Sequence, residues 1–449
     1  MPTLAEDRPE AAASARYDLL FRENLVGHQG GRQPSPADVP RRRPPVIEPA
    51  TNLGREPTAG RDCLPPVEPL LHLLDPGADL AGWLEARGQP AWRARAILRW
   101  ALARRAASFA AMTDQPAALR ADLAAAFTMR SATVAVHDRA ADGTEKLLLS
   151  LADGHRIECV LLRGGVDPAE GGAHDDGPRP TDRITACISS QVGCAMGCVF
   201  CASGIDGVVR NLTAGEILEQ LVHLSALLPA EERISHVVVM GMGEPLANLD
   251  RLLPALDRVQ DRDGFGISPR RITISTVGLP PAIDRLADER PVYHLAVSLH
   301  AADDQTRTRL VPVNRAIGLD AVMAAADRYW AASGRRLTFE YVLLGGVNDS
   351  ADDARGLTAL LGGRAALVNV IPYNPVAGMP WQEPSTVARE RFLGILRDAG
   401  VNVQVRRRKG HRINAACGQL RRAAAQASQP SSVTTTSTPP RMPPSQAIH

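Results

Sequence analysis

"CISSQVGCAMGCVFCASG" (residues 187–204) sets Cys194, Cys198 and Cys201 in a CxxxCxxC pattern, with Cys187 seven residues ahead of it. The chain's other three cysteines, Cys63, Cys159 and Cys417, lie apart from this group. An odd total, with four members crowded into residues 187–201, is not a disulfide framework and points to metal or redox chemistry. Three thiolates cannot ligate all four irons of a [4Fe–4S] cubane, so one iron stays open to an outside ligand. Zinc with Cys187 as fourth ligand is the alternative. Zinc sites usually draw on closely paired cysteines and close all four positions, which a cysteine seven residues upstream inside an apolar run suits poorly.

Working outward, that apolar run is the first of six. "ITACISS", "SHVVVMGM", "RITISTVG", "HLAVSLH", "LTFEYVLL" and "LVNVIPYN" alternate with helical patterns such as "TAGEILEQLVHLSALL" (213–228) and "GLDAVMAAADRYWAAS" (318–333). This alternation predicts an α/β fold with parallel strands and covering helices, a partial (β/α)6 barrel over residues 184–422. Such folds gather their chemistry at the carboxyl ends of the strands. Gly243 and Glu244 in "GMGEPL", Ser275, Ser298-Leu299-His300 and Asn374 all fall at those ends. Each alone reads as a loop or cap residue; in one repeating frame they make a cofactor rim.

Upstream, three runs separated by "ADGT" and "DGH" predict a small antiparallel β meander, followed by a Gly- and Pro-rich loop, over residues 131–183. Residues 66–130 read as a helical accessory domain broken at Gly88-Gln-Pro90, with Arg93, Arg95, Arg99, Arg104 and Arg105 offering a basic face to RNA. Residues 1–65 and 423–449 are too rich in Pro, Gly, Ser and charge to offset ordering entropy and are expected to be disordered. Arg41–Arg43 lie in the first of these.

The 449 residues are 45% hydrophobic, a globular composition. Lys and Arg total 51 against 49 Asp and Glu, so net charge selects no partner and local clusters must. One such cluster, Arg406, Arg407, Arg408, Lys409, His411 and Arg412, directly precedes Cys417 and suits phosphate contact. No signal peptide and no membrane-length apolar run is visible, which predicts a cytoplasmic protein with reduced thiols.

With the cysteine cluster, "GMGEPLAN", "ITISTVG", "AVSLHA", "NVIPYNP" and "AACGQL" (415–420) in this order, the chain resembles the RlmN/Cfr family of radical S-adenosylmethionine (SAM) RNA methyltransferases over about residues 68–422. The resemblance implies one [4Fe–4S] cluster on Cys194, Cys198 and Cys201, and SAM used twice, as methyl donor and as radical source. Gly243, Glu244, Ser275, Ser298, Leu299, His300 and Asn374 become the SAM-binding set. Cys417 becomes the methyl carrier, which the chemistry needs because carbon 2 of adenine has no lone pair to attack a sulfonium methyl, whereas a thiolate does. Cys187 becomes the proton-removing thiol that closes a transient disulfide with Cys417, and Glu158 in "RIECV" matches the family's proton acceptor. Cys63 and Cys159 match no role.

The implied substrates are the adenosine of 23S rRNA at the peptidyl-transferase centre and the adenosine beside the tRNA anticodon. The implied partners are an electron donor such as flavodoxin or ferredoxin, and the protein is expected to be a monomer. "NLTAGEI" and "IPYNPVAG" resemble the RlmN branch, which modifies carbon 2; Asn414, where many of that branch are acidic, resembles the carbon-8 Cfr branch. Two other classes stay open: a radical SAM enzyme acting on protein or metabolite, and a zinc-stabilised RNA-binding module.

Overall fold

A computed structural model describes residues 70–164, 183–406 and 409–421. The expected disordered termini with Arg41–Arg43 and Cys63, the loop at 165–182, and Arg407 and Arg408 lie outside the described residues.

The chain first forms β1 (Leu71–His72), α1 (Leu80–Glu85), α2 (Trp92–Leu102), α3 (Ala117–Ala126) and β2 (Phe127–Thr128). Gly88 separates α1 from α2 with φ of 66°, in the left-handed region that favours glycine. Leu84, Ile97, Ala101, Leu102 and Leu123 bury the inner faces of these helices, while Trp92 of the same pattern faces solvent. The arginine face is engaged with protein. Arg95 and Arg99 reach Asp263, Arg104 pairs with Asp114 over the Trp100 ring, Arg93 donates to Gln115, and Arg105 donates to the Leu228, Pro229 and Glu232 carbonyls. Holding RNA through these groups would mean exchanging those contacts.

The meander follows as β3 (Thr133–Arg139), β4 (Glu145–Ser150) and β5 (Arg156–Arg163). It is not a separate layer: β5 pairs antiparallel with β6 (Ile184–Cys187), Val160 opposite Cys187. After β6 come the short hairpin strands β7 (Gln191–Gly193) and β8 (Val208–Asn211), then α4 (Ala214–Ser225), β9 (His236–Val239), α5 (Leu249–Gln260), β10 (Ile272–Thr276), α6 (Pro280–Glu289) and β11 (His294–Ser298). The remainder is α7 (Asp304–Leu310), α8 (Asn314–Ile317), α9 (Leu319–Ser333), β12 (Leu337–Leu343), α10 (Ala351–Leu361), β13 (Ala366–Pro372), α11 (Thr386–Asp398) and β14 (Asn402–Val405).

One ten-stranded sheet results, in the order β14-β13-β12-β11-β10-β9-β6-β5-β4-β3, with β6 and β9 to β14 parallel. Each parallel strand lies beside its predecessor, so the (β/α) units wind in one direction, and the sheet stays open with β14 and β3 at its edges. The fold is therefore the α/β partial barrel that the alternation predicts, enlarged at one edge by the meander. Core strands such as Val237–Val239 are apolar without alternation because both faces are covered.

Helix α4 is buried along its whole length, and Glu219 at its centre has essentially no exposure. Its carboxylate accepts from Ser131 N (3.0 Å), Ser131 Oγ (2.9 Å) and Ala132 N (2.9 Å), and meets His72 Nε2 at 3.0 Å. Burial alone would raise this carboxyl; the donors from His223, His72 and Ala132 outweigh it and hold it at about 2. The accessory helices are thereby keyed to the core through one anion. Because the folded value lies below the ordinary 4.5, its stabilisation is full above that pH and is lost as pH falls toward 2. Glu219→Gln should cost about 3 kcal/mol, read as a lowered Tm at pH 7, and should flatten this part of the acid limb in a melting series.

Candidate active site

The cysteine loop is shaped by backbone contacts. Gly193 has φ of 82°, and a Cβ there would lie 2.0 Å from the Gly207 carbonyl, so the β7–β8 hairpin closes only on glycine. Cys201 N donates to Cys198 O (3.0 Å), Val199 N to Leu310 O of α7 (3.0 Å), and Trp381 Nε1 to Val199 O (2.7 Å). Burial, reinforced by the neighbouring thiols, pushes Cys194 up to about 12 and Cys198 well above its ordinary value. Their protons are therefore lost when a metal takes their place.

Cys194, Cys198 and Cys201 line one cavity of about 150 Å³ together with Gly243, Glu244, Ser275, Ser298, His300, Asn374 and Cys417. It opens at the carboxyl ends of β9 to β13. Gly243 has φ of 106°, and a Cβ would come within 2.7 Å of Gln191 Cβ, so the turn after β9 fits against the cysteine hairpin only without a side chain. Glu244 is buried, accepts from Leu246 N (3.1 Å) and Val277 N (2.9 Å), and is raised by burial to about 7. It stitches the end of β9 to the end of β10. His300, at φ of 62°, accepts at Nδ1 from Val342 N (3.0 Å) and sits edge-on to Phe200; burial, then Arg307, lower it to about 3, so it is neutral. Leu299 stands apart. It is fully buried behind the wall, its N–H given to Glu340 O and its carbonyl to Arg307.

A second cavity of about 310 Å³ adjoins the first. Cys187, Arg163, Arg183, Arg406 and Lys409 line it, and Cys417, Asn374 and Arg406 line both. Burial and then the Cys417 charge push Cys187 up to about 12, against a downward pull from Arg406. Arg406 is half-buried, with Nη1 3.8 Å from Glu340 Oε1. It lies where the two cavities meet, lining both together with Cys417. Every described cysteine is a free thiol.

The segment bearing Cys417 is fastened along its length. Gly410 N donates to Asp142 Oδ2 (2.9 Å), Asn374 Nδ2 to Cys417 O (3.0 Å), Ala202 N to Gly418 O (2.8 Å), and Ser203 Oγ to Leu420 O (2.7 Å). Arg421 N donates to Glu158 Oε2 (2.8 Å). Asn414 has φ of 51°, a conformation that Asn, like Asp, tolerates better than most residues. Strand parity puts Glu158 on the same sheet face as Cys187, yet Glu158 lines neither cavity: Lys146 Nζ holds its other oxygen at 2.8 Å. Cys159 is fully buried on the opposite face.

Sequence reasoning passed over Glu340, Arg307 and the interior place of Arg406. Glu340 had a signal, a lone carboxylate inside the apolar run "LTFEYVLL"; Arg307, within a short polar helix, had none.

The donor set fits the implied groups. Among the described residues no three His, Cys, Asp or Glu side chains converge on a point that would hold one ion. Three thiolates spread round a single cavity suit a cubane, with one iron for each, better than a zinc ion. In the same cavity Asn374 Oδ1 and Glu340 Oε2 are buried without a hydrogen-bond partner, so a ligand rich in N–H and O–H donors completes them.

Comparison with known proteins agrees. Residues 188–355 match the radical SAM superfamily model, and residues 72–129 match the ribosomal RNA large subunit methyltransferase N-terminal domain. The chain is 60% identical over 352 residues to a probable dual-specificity RNA methyltransferase RlmN of Rhodopirellula baltica, covering 78% of this chain and 91% of that one. It is 42% identical over 342 residues to the dual-specificity RNA methyltransferase RlmN of Syntrophobacter fumaroxidans, covering 76% and 95%. Among solved structures, a radical SAM methyltransferase from Sphaerobacter thermophilus superposes with a TM-score of 0.73 at 42% identity, over 79% of this chain and all of that one.

Asn374 both holds the Cys417 carbonyl and offers the unpaired oxygen. Asn374→Ala should weaken SAM binding about tenfold, the worth of one such hydrogen bond, in calorimetry. It should also speed alkylation of Cys417 by iodoacetamide.

Proposed function

This chain belongs to the RlmN family of radical SAM RNA methyltransferases, and on that premise we propose that it methylates carbon 2 of adenosine in 23S rRNA, at the peptidyl-transferase centre, and of the adenosine beside the tRNA anticodon. The observation that carries this reading is that Cys417 lines both cavities while Cys187 lines only the basic one. One sulfur thus faces the cofactor side and the RNA side, and a second waits on the RNA side alone.

Cys194, Cys198 and Cys201 would hold the cluster, and Asn374, Glu340 and the strand-end residues would receive SAM. When bound, the cluster supplies one electron that cleaves SAM to an organic radical. Cys417 first takes a methyl group as a thiolate, by displacement at the sulfonium, with Arg406 beside it to balance charge. The S-methyl group then stands between the cavities, so a hydrogen can leave on the cofactor side and the carbon can bond to adenine on the other. Cations of the basic cavity suit the RNA strand that delivers the base, extruded from its stack.

Cys187, buried and strongly basic once ionised, takes the ring proton. The adduct carries one electron too many, to be returned to the cluster. Once its own proton has passed on to solvent, the Cys187 sulfur attacks the Cys417 sulfur; the carbon–sulfur bond breaks, its electron pair stays on the product carbon, which takes up a proton to become the methyl group, and a transient Cys187–Cys417 disulfide is left for an external dithiol to reduce. Glu158, held by the Arg421 N–H on one oxygen and Lys146 on the other, keeps lone pairs with which it can accept a proton. The electron comes from a donor such as flavodoxin or ferredoxin, and the enzyme works as a monomer in the cytoplasm. Among the described residues no helix is long and apolar enough to cross a membrane.

Anaerobically reconstituted protein with SAM, reductant and ribosomal RNA should yield 2-methyladenosine by nucleoside mass spectrometry; 8-methyladenosine alone would overturn the carbon assignment. Cys187→Ala should accumulate a protein–RNA crosslink on denaturing gels, and Cys417→Ala should form none. Identical behaviour of the two variants would remove their division of labour.

A further inference from the structure

Arg307 is an arginine with no measurable exposure. Its Nε donates to Leu299 O (3.1 Å), Nη2 to Ser298 O (3.0 Å) and to Val277 O, and Nη1 to Asn314 Oδ1. All four acceptors are neutral, and among the described residues no carboxylate is a direct partner. The exposed Asp304 of the same helix acts on it through space and is linked to it by Asn314, whose Nδ2 donates to Asp304 Oδ1 (2.8 Å). A buried charge with no carboxylate in direct contact is costly, and burial still outweighs the pull of Asp304 on this guanidinium.

The cysteine loop lies against this helix. Leu310, one turn beyond Arg307, receives Val199 N, the residue after Cys198. Val277 and Ser298, whose carbonyls the guanidinium holds, line the cofactor cavity. Cys198 and His300 line that same cavity. The guanidinium is thus anchored to two residues of the wall that Cys198 also lines.

We propose that Arg307 is a positioning residue whose unpaired buried charge stabilises the electron-rich form of a cluster held at Cys198, while its hydrogen bonds fix the strand ends that receive SAM. A cluster on three thiolates is anionic and gains one more negative charge on reduction. A fixed cation in a dry wall favours that step far more than it would in water. The inference rests on Cys198 being a cluster ligand.

The test is a redox titration of the anaerobically reconstituted protein, without SAM or RNA, followed by electron paramagnetic resonance. Arg307→Gln should lower the reduced-to-oxidised ratio at a given potential at least tenfold, about 59 mV for one electron. Arg307→Lys, which keeps the charge but not the fork of hydrogen bonds, should stay within about threefold of the parent. A purely structural role would disturb both variants alike and leave the potential of the iron-loaded fraction unmoved. Full iron content in Arg307→Gln with an unchanged potential overturns the proposal. If Arg307→Gln cannot hold iron, Arg307→Lys decides: a ratio moved tenfold or more although the charge is kept overturns the proposal. A parent protein that binds no iron would instead sink the ligand assignment.

Discussion

The site depends on two hydrogen bonds that join distant parts of the chain: Ala202 N to Gly418 O and Ser203 Oγ to Leu420 O. They bolt the residues just after Cys201 to those just after Cys417, more than two hundred positions later. On the proposed function, a sulfur that receives a group on one side and passes it on at the other needs its backbone fixed relative to both. Side-chain packing around Gly418 and the Ala pair cannot supply that, since those residues have almost no side chain. Backbone and hydroxyl donors do it instead, with Asn374 holding the Cys417 carbonyl from the end of β13.

The same logic explains why the meander continues the core sheet. Its β3–β4 turn delivers Asp142 to Gly410, and its β5 delivers Glu158 to Arg421, so both ends of the carrier segment are gripped from one side. The barrel alone, open between β14 and β6, has no wall there. The added strands supply one, and the basic cavity forms in the corner between them.

Much of this was legible in the sequence, for identifiable reasons. Apolar runs such as "SHVVVMGM" and glycine-bearing strand ends report the parallel sheet because burial on both faces leaves no room for alternation. The cysteine spacing reports a cluster because few other chemistries need it. What stayed hidden depends on distance in space. Arg406 reads as part of a surface basic run, yet the register of β14 turns it inward between two thiols. The arginines of α2 read as a free face, yet Asp263, in a loop far downstream, neutralises two of them. Leu299 shares a motif with Ser298 and His300, but strand alternation sends its side chain the other way. Glu158 stands on the right face of β5, and only the fold reveals that Lys146 and Arg421 already occupy it.

That alternation also bears on Cys159, which sits beside the Glu158–Val160 stretch opposite Cys187. Successive residues on a strand point to opposite sides, so this thiol is near Cys187 across the strand pair but on the other face of the sheet. The pleat thus acts as a partition. Were the proposed sulfur–sulfur bond to form at this centre, strand geometry, together with the deep burial that keeps the Cys159 thiol protonated, would disfavour mispairing.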